Sequence, residues 1–303
     1  MTKVFNVKGI YAASLRDSLE DTFGIELEFL FAPSTYQFRE MCSKVRSVNQ
    51  KLETKPSLMQ IRAWSRFYFL DKIKWFVSDA VEDGILDELV LSPMTTELLY
   101  KMKSEFESLF VNMSIMGYVE SSPLNRVGIH HNIELYDLTG HQFYRFMKLS
   151  TVLKGLLAKV SNRAHLATDK SDMDFFIGDR WGHYASQDKV TKYEAFIQIL
   201  VEGFKKKKET TLLGVRVYPD GRPLIEVMWY GSTFNVDTFY TQIEFTRSLK
   251  HYAKGVETLS QRKYIEYLVN HKHNFPYLYK FVEDQCEEFS ITQFANAEIG
   301  IIT

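Results

Sequence analysis

Short stretches that alternate polar and apolar residues are followed along the chain by longer amphipathic stretches, which predicts strands that lead into helices. Gly24 to Phe31 alternates, so Glu26 and Glu28 project from one face of a strand and the apolar residues between them project from the other. Tyr36 to Val48 is amphipathic and predicts a helix. A solvent-facing edge strand with an acidic side shows the same alternation, so the role of this face stays open.

Two carboxylates that project together repel each other unless a positive charge or a proton lies between them. The physical candidates at Glu26 and Glu28 are therefore a divalent cation or a shared proton. A cation would make the two glutamates metal ligands, whereas a shared proton would suit general acid–base chemistry.

A second strand with an acidic residue is predicted after the turn at Asp83-Gly84. Glu88 to Leu91 forms this strand, and Ser92-Pro93 ends it. Thr95 to Phe110 follows with apolar residues at three- and four-residue spacings, which predicts one amphipathic helix. Leu58 to Val77 is rich in apolar residues, and its periodicity does not separate strand from buried helix.

A third strand, Val127 to Ile133, places His130 and Asn132 on one face and His131 on the other. Gly140 to Leu157 then predicts another amphipathic helix. A strand histidine is commonly a structural residue with satisfied hydrogen bonds, but an asparagine beside it on the polar face favours a ligand role. Both interpretations of His130 stay open on this pattern.

The C-terminal half contains a predicted hairpin and two helical stretches. Leu212 to Tyr218 and Pro223 to Tyr230 flank a Pro-Asp-Gly turn, and Glu226 is a lone carboxylate among apolar residues that needs a partner or a metal. Asp237 to Lys254 predicts a strong helix, and the chain from Tyr264 to the end is aromatic-rich and helical. The aromatic residues of this tail pack on their own domain or dock a partner.

The region between these halves has less pattern. Ser161 to Asp188 is an irregular polar stretch that contains Arg180. Tyr193 to Phe204 predicts a helix that ends in four lysines, Lys205 to Lys208. These lysines form either a solvated helix end that suits the helix dipole or a patch that faces phosphate.

Composition narrows the class of protein. The 303 residues allow one large or two small domains, and without a repeat or a low-complexity linker we expect one compact domain with a helical tail. A net charge of −1, from 37 basic and 38 acidic residues, gives no field that would draw the whole molecule to nucleic acid or membrane. Cys42 and Cys286 are isolated, which argues against a disulfide scaffold or a zinc site. No targeting segment or membrane span is evident, so we expect a cytoplasmic protein.

Four of these stretches, in order, resemble the sequence motifs of the amidoligase family. These are ATP-dependent carboxylate–amine ligases related to glutamate–cysteine ligase and, more remotely, to glutamine synthetase. Gly24 to Phe29 resembles the family's G-[IV]-E-x-E-F, Asp83 to Pro93 its D-G-S…E-[LI]-V-S-P, and Gly128 to Ile133 its G-L-H-V-H-V. Ile225 to Thr233 is similar to I-E-F-R…G-T, so the resemblance covers roughly residues 24–254.

The resemblance implies an α+β fold in which a curved, mainly antiparallel sheet has helices on its outer face. It implies an amidoligase-like catalytic domain over residues 1–254 and a helical C-terminal extension, residues 255–303, packed on it. The implied reaction is the ATP-dependent joining of a carboxylate, from an amino acid or a peptide, to an amine through an acyl phosphate. The implied cofactors are ATP and Mg²⁺, a cation that prefers oxygen ligands.

The family's functional residues map onto this chain by position. The resemblance makes His130 a phosphate or metal contact. Further candidate nucleotide contacts are Asn132 in the third motif, Arg180 in the irregular stretch and Lys205 in the lysine run. The implied metal ligands are four glutamates: Glu26, Glu28, Glu88 and Glu226.

The chain also departs from the family's motifs. Met228 stands where the family has an arginine that stabilises charge on the transferred phosphoryl group, and Arg216 or Arg222 on the hairpin is a candidate substitute. Asn132 replaces the second histidine of the third motif, and Ile85 replaces the serine of the second. The alternative is therefore a catalytically altered or inactive amidoligase-fold protein. It would act as a structural or binding component, for example of a phage particle, in an infected host's cytoplasm or in the virion.

Overall fold

The computed structural model describes residues 22–48, 57, 59–62, 77–83, 86–122, 127–134, 138–162, 213–217, 223–255 and 259–286. Its architecture is α+β with a mainly antiparallel sheet, which confirms the predicted fold class. The described strands are β1 (Thr22–Phe31), β2 (Val77–Asp83), β3 (Leu86–Leu91), β4 (Met94–Thr95), β5 (Tyr118–Val119), β6 (Gly128–Glu134), β7 (Leu213–Val217) and β8 (Pro223–Gly231). The described helices are α1 (Thr35–Val48), α2 (Thr96–Lys101), α3 (Lys103–Ile115), α4 (Gly140–Val152), α5 (Lys154–Ser161), α6 (Val236–Gly255), α7 (Gln261–Asn270) and α8 (Pro276–Cys286).

The chain divides into two compact units that are interleaved in sequence. The first comprises residues 1–133 and 231–236, and the second comprises residues 134–230 and 237–303. The predicted boundary between residues 254 and 255 stays a prediction. Of the helices that the structure describes, none has the length and apolar character needed to cross a bilayer.

Strand β1 organises the sheet of the first unit. It pairs antiparallel with β3 on one side and with β6 on the other, while β2 pairs with the far side of β3 and the short strands β4 and β5 pair with the ends of β1. The register sets Glu28 opposite Glu88 and Glu26 opposite His130. The three motif-bearing strands β3, β1 and β6 are thus neighbours.

The two faces of β1 differ in polarity, as the alternation predicted. Its apolar face carries Ile25, Leu27 and Phe29, which are fully buried. Phe29 contacts Phe110 of α3 and stacks on Phe234, with ring centroids 5.0 Å apart in the stacked pair. The opposite face, called here the polar face, carries Glu26 and Glu28. Apolar burial on one side therefore fixes which side presents the carboxylates.

Two predicted helices are each divided in the structure, so the single-helix predictions are wrong. The stretch predicted from Thr95 to Phe110 breaks at Met102, and α3 then runs on to Ile115. The stretch predicted from Gly140 to Leu157 breaks at Leu153. Backbone hydrogen bonds continue through both breaks and both side chains are buried, so the apolar spacing is kept and the sequence pattern does not reveal the break.

In the second unit, β7 and β8 form the predicted antiparallel hairpin, with Leu213 opposite Val227 and Gly214 opposite Glu226. Helix α6 extends the predicted helix of residues 237–254 by one residue at each end. The described tail helices α7 and α8 pack against α6: Tyr264 contacts Tyr252, and Tyr277 stacks on Tyr240. The tail aromatics that make these contacts therefore pack within their own unit.

Candidate metal centre

Three side chains predicted as site residues meet on the polar face of β1 and β6. The Nδ1 atom of His130 lies 3.4 Å from Oε2 of Glu26, and its Nε2 atom lies 3.5 Å from Oε2 of Glu28. The exposed side-chain fractions are 4% for Glu26, 17% for Glu28 and 12% for His130. The His130 imidazole therefore lies between two largely buried carboxylates.

The imidazole does not form a tight ion pair with either carboxylate. Charge-assisted N–H···O bonds are typically about 2.7–2.9 Å long, shorter than both distances at His130. A neutral imidazole has only one N–H donor, so it can donate to one of the two glutamates at a time. The imidazole therefore cannot pair with both glutamates at once, and two neighbouring carboxylates favour a bound cation.

Strand β6 orients both carboxylates. The Nδ2 atom of Asn132 donates a hydrogen bond to Oε1 of Glu26 at 2.8 Å, and the backbone N–H of Gly128 donates to Oε2 of Glu28 at 3.0 Å. One glutamate is therefore held by a side chain and the other by the backbone. Glu26 keeps its second oxygen, Oε2, directed toward His130.

A third predicted ligand, Glu88, shares this face. It lies directly opposite Glu28 in the β1–β3 register, and residues directly opposite in an antiparallel pair project to the same side. Along the described strands β1, β3 and β6, no lysine or arginine occupies a polar-face position. The face thus concentrates acidic groups around one histidine.

The adjacent acidic residue, Asp87, faces the other way and was missed by sequence reasoning. It is buried, and its Oδ2 atom accepts hydrogen bonds from Arg62 Nε and from the hydroxyl of Tyr118, both at 3.0 Å. Arg62 also donates to the carbonyl of Leu86. The available signal was an acidic residue at an apolar-face position of β3, which demands a buried partner.

His131 projects to the apolar face, as the alternation predicted. It is fully buried, with its ring edge-to-face against Phe23. Burial, together with a smaller effect of the neighbouring His130, lowers the pKa of His131 to about 3. The two consecutive histidines therefore differ in role, since His131 is a neutral core residue while His130 belongs to the acidic cluster.

The donor set of the polar face fits Mg²⁺. This cation takes carboxylate oxygens, and two pairing positions of the adjacent strands β1 and β3 supply them: Glu26, opposite Val90, and the directly opposed pair Glu28 and Glu88. Glu26 and His130 also offer ligand atoms within 4.8 Å of each other. Orientation of the carboxylates by Asn132 and Gly128 matches the outer-shell hydrogen bonds that metal ligands usually receive.

The remaining predicted site residues belong to the second unit or lie outside the described residues. Glu226 is buried on β8 in the second unit, and its role as a metal ligand stays a prediction. The β7–β8 register pairs Arg216 with Leu224. Arg180, Lys205 and Arg222 lie outside the described residues, as does most of the 161–188 stretch.

Comparison with solved structures gives a coarse structural likeness. No family model and no curated protein matches the sequence. A chain from the crystal structure of the complex between the prokaryotic ubiquitin-like protein Pup and its ligase PafA aligns with a TM-score of 0.37 and 11% sequence identity. The alignment covers 80% of this chain and 49% of that chain, so this chain spans about half the length of that one. Similarity at this level carries no argument about function, which must come from the residues of the site.

Proposed function

We propose that this chain is an ATP- and Mg²⁺-dependent ligase that joins a carboxylate to an amine. One observation carries the proposal: Glu26, Glu28 and His130 gather on one face of β1 and β6, with Glu88 directly opposite Glu28. These are the positions at which the sequence resembles the amidoligases. The substrate classes proposed are the carboxylate of an amino acid or a peptide and a primary amine.

The chain's own residues divide the work of binding. Glu26, Glu28 and Glu88 would hold Mg²⁺, while Asn132 and the Gly128 N–H keep the first two carboxylates oriented. When bound, Mg²⁺ supplies positive charge that offsets the negative charge of ATP's phosphate oxygens. His130, at the edge of this cluster, would donate an N–H to a phosphate oxygen. The apolar face of β1 keeps water from the opposite side of the site.

The direct test measures ATP turnover with Mg²⁺ and pooled amino acids and peptides, and mass spectrometry identifies the amide product. We expect ADP and phosphate to form with at least one combination of carboxylate and amine substrates. Their formation should be lost in Glu26→Gln. Glu97→Gln is the matched control, because it removes an exposed carboxylate on α2 that pairs with Lys101 of the same helix. Absence of turnover with every acceptor, together with absence of any thermal shift on adding Mg²⁺ and ATP, would contradict the proposal.

A second candidate function, a protein that binds ATP and Mg²⁺ without ligating, is favoured by Met228. This residue is partly buried on β8, where the amidoligase pattern has arginine, and a thioether cannot donate a hydrogen bond to a phosphoryl oxygen. Loss of one such donor typically lowers a rate by about 10²- to 10³-fold. A thermal shift with ATP and Mg²⁺ but no turnover would favour this candidate.

A further inference from the structure

Asn132 donates a hydrogen bond to Glu26 at 2.8 Å, although the amidoligase pattern has histidine at its position. The register pairs Asn132 with Gly24 across β1 and β6. A Cβ atom on Gly24 would lie 3.1 Å from Cβ of Asn132 and 3.7 Å from its Nδ2 atom. The asparagine side chain therefore covers Gly24, and the missing side chain of the glycine makes room for it.

The hydrogen bond to Glu26 fixes which way the Asn132 side-chain amide is oriented. Its Nδ2 atom donates to Oε1 of Glu26 at 2.8 Å, whereas a flipped amide would set its oxygen against a carboxylate oxygen. Within the part of the chain that the structure describes, the buried Oδ1 atom of Asn132 has no hydrogen-bond partner. A buried polar atom without a partner is unfavourable, so the fold keeps this amide in spite of a local cost.

A neutral donor has a particular advantage beside a metal-binding carboxylate. Lysine, arginine or a protonated histidine at this position would orient Glu26 but would also offset its charge and weaken its attraction for a cation. The asparagine amide fixes Oε1 and leaves the full negative charge on the carboxylate, with Oε2 turned toward His130. Asn132 thus orients the carboxylate, and Glu26 itself supplies the negative charge.

We infer that Asn132, seated over Gly24, is a positioning residue that sets the Glu26 carboxylate for cation binding. This inference rests on the proposed function, because it concerns the affinity of the same site for Mg²⁺. It differs from the sequence-based interpretation of Asn132 as a nucleotide contact. Asn132 acts through Glu26, and Gly24 acts through Asn132.

The test measures binding of Mn²⁺, as a spectroscopic probe for Mg²⁺, to the full chain without ATP by electron paramagnetic resonance. Asn132→Leu keeps the approximate shape of the side chain and removes the donor, and we expect Mn²⁺ affinity to fall about 10- to 100-fold. Gly24→Ala should shift Asn132 by a few tenths of an ångström and weaken binding to a smaller extent. Gly24→Ala also serves as the second variant should Asn132→Leu fail to fold.

Two matched controls isolate the effect. Gly155→Ala adds a methyl group to a position with no atom within 4 Å of the new Cβ, and Asn112→Leu removes an asparagine from the exposed side of α3. Both should leave Mn²⁺ affinity unchanged. A purely structural role is separated by Glu26→Gln, in whose background Asn132→Leu should cause no further loss of the residual Mn²⁺ binding.

Three results bear on the inference. Weaker binding in Asn132→Leu and Gly24→Ala, with both controls unchanged, supports it. Unchanged affinity in a folded Asn132→Leu, or equal losses with and without Glu26, overturns the inference and leaves the proposed function intact. No Mn²⁺ or Mg²⁺ binding by the unaltered chain, with or without ATP, overturns the proposed function and the inference together.

Discussion

Glu28 is the site residue at which charge can be removed with least disturbance. Its Oε2 atom accepts from the backbone N–H of Gly128, and a glutamine at this position can accept the same hydrogen bond. Glu28 also lies directly opposite Glu88, and like charges in directly opposed positions of an antiparallel pair are destabilising. Without a bound cation, therefore, repulsion between the carboxylates of Glu28 and Glu88 lowers the stability of the fold.

We expect Glu28→Gln to raise the free energy of unfolding by roughly 0.2–1 kcal/mol in the presence of a chelator, because it relieves this cross-strand repulsion. The stabilisation that Mg²⁺ gives the unaltered chain should shrink in the variant. Urea denaturation with chelator and with Mg²⁺ measures both quantities, and Glu107→Gln on α3 serves as the exposed control. A clear loss of stability in chelator would mean that Glu28 serves chiefly as a partner for His130.

Single residues differ in how far the sequence predicts them. The faces of Glu26, Glu28, His130 and His131 follow from the two-residue period of a strand, which is fixed by backbone geometry. The contacts of Asp87 do not follow, because its partners Arg62 and Tyr118 come from other parts of the chain and a local pattern carries no information on pairing. The hydrogen bond from Asn132 to Glu26 needed the strand register as well as the period.

Among the elements, α6 shows where amphipathic pattern stops being informative. The pattern predicted its existence and nearly its bounds, but an amphipathic helix is expected to have one solvated face. In the structure its polar residues Gln242, Glu244, Thr246 and Ser248 are also buried. These groups are paired with other elements: Thr246 with Tyr230, and Ser248 with Tyr264 of α7. The burial of the polar side depends on packing that no local pattern reports.

Glu244 anchors α8 to α6. It is fully buried, and its Oε2 atom accepts from the backbone N–H of Leu278, in the first turn of α8, at 2.7 Å. A carboxylate at a helix N-terminus is favoured by the helix dipole, and hydrogen bonds to charged groups contribute about 1.5–3 kcal/mol. We expect Glu244→Ala to lower the free energy of unfolding by about 2 kcal/mol or more.

Urea denaturation measures this loss, and hydrogen exchange should show reduced protection in α8 first. Glu283→Ala is the matched control, since it removes an exposed glutamate from the same helix. Equal stability of Glu244→Ala and the unaltered chain would show that α8 is held by its apolar contacts alone.

The pairing of α6 and α7 predicts a dependence of stability on alkaline pH. Burial raises the pKa of Tyr264 well above the usual value of about 10, although the hydrogen bond with Ser248 opposes the rise. The unfolded chain therefore releases this proton near pH 10 while the folded chain keeps it. The stability that Tyr264 contributes is complete below about pH 10 and falls above it, by at most about 1.4 kcal/mol per pH unit.

Tyr264→Phe should flatten this decline by the equivalent of one proton. Denaturation at several values between about pH 9 and pH 11 gives the slope, with Tyr277→Phe on α8 as the control that keeps a stacked ring. An unchanged slope in Tyr264→Phe would place the alkaline transition at another group.

For the whole molecule, the division into two units could not be predicted from the sequence. Residues 231–236 belong with the first unit although they follow β8, because Phe234 stacks on Phe29 and the backbone of Ser232 bonds to Ser121 and Val127. No linker, repeat or change of composition in the sequence marks the points at which the chain passes from one unit to the other. Only contacts between residues far apart in sequence define it.

The C-terminal tail is either an integral part of the fold or a separable element that can dock a partner. A partner-binding protein would need the second. We expect a chain that ends at residue 258 to lose cooperative unfolding and to aggregate, because removing α7 and α8 uncovers Tyr240, Tyr252 and the carboxylate of Glu244. Burial of each such ring contributes about 1.5–3 kcal/mol, so uncovering Tyr240 and Tyr252 removes a large share of the roughly 5–15 kcal/mol by which domains are stable.

Size-exclusion chromatography and circular dichroism with thermal melting test this expectation. Val269→Ser, on the exposed side of α7, is the control that alters the tail without uncovering α6, and it should behave as the unaltered chain. A truncated chain that stays monodisperse and melts at the same temperature would contradict the packing argument. It would then favour a protein whose tail is free to bind a partner, because an element that the fold does not need is available for another surface.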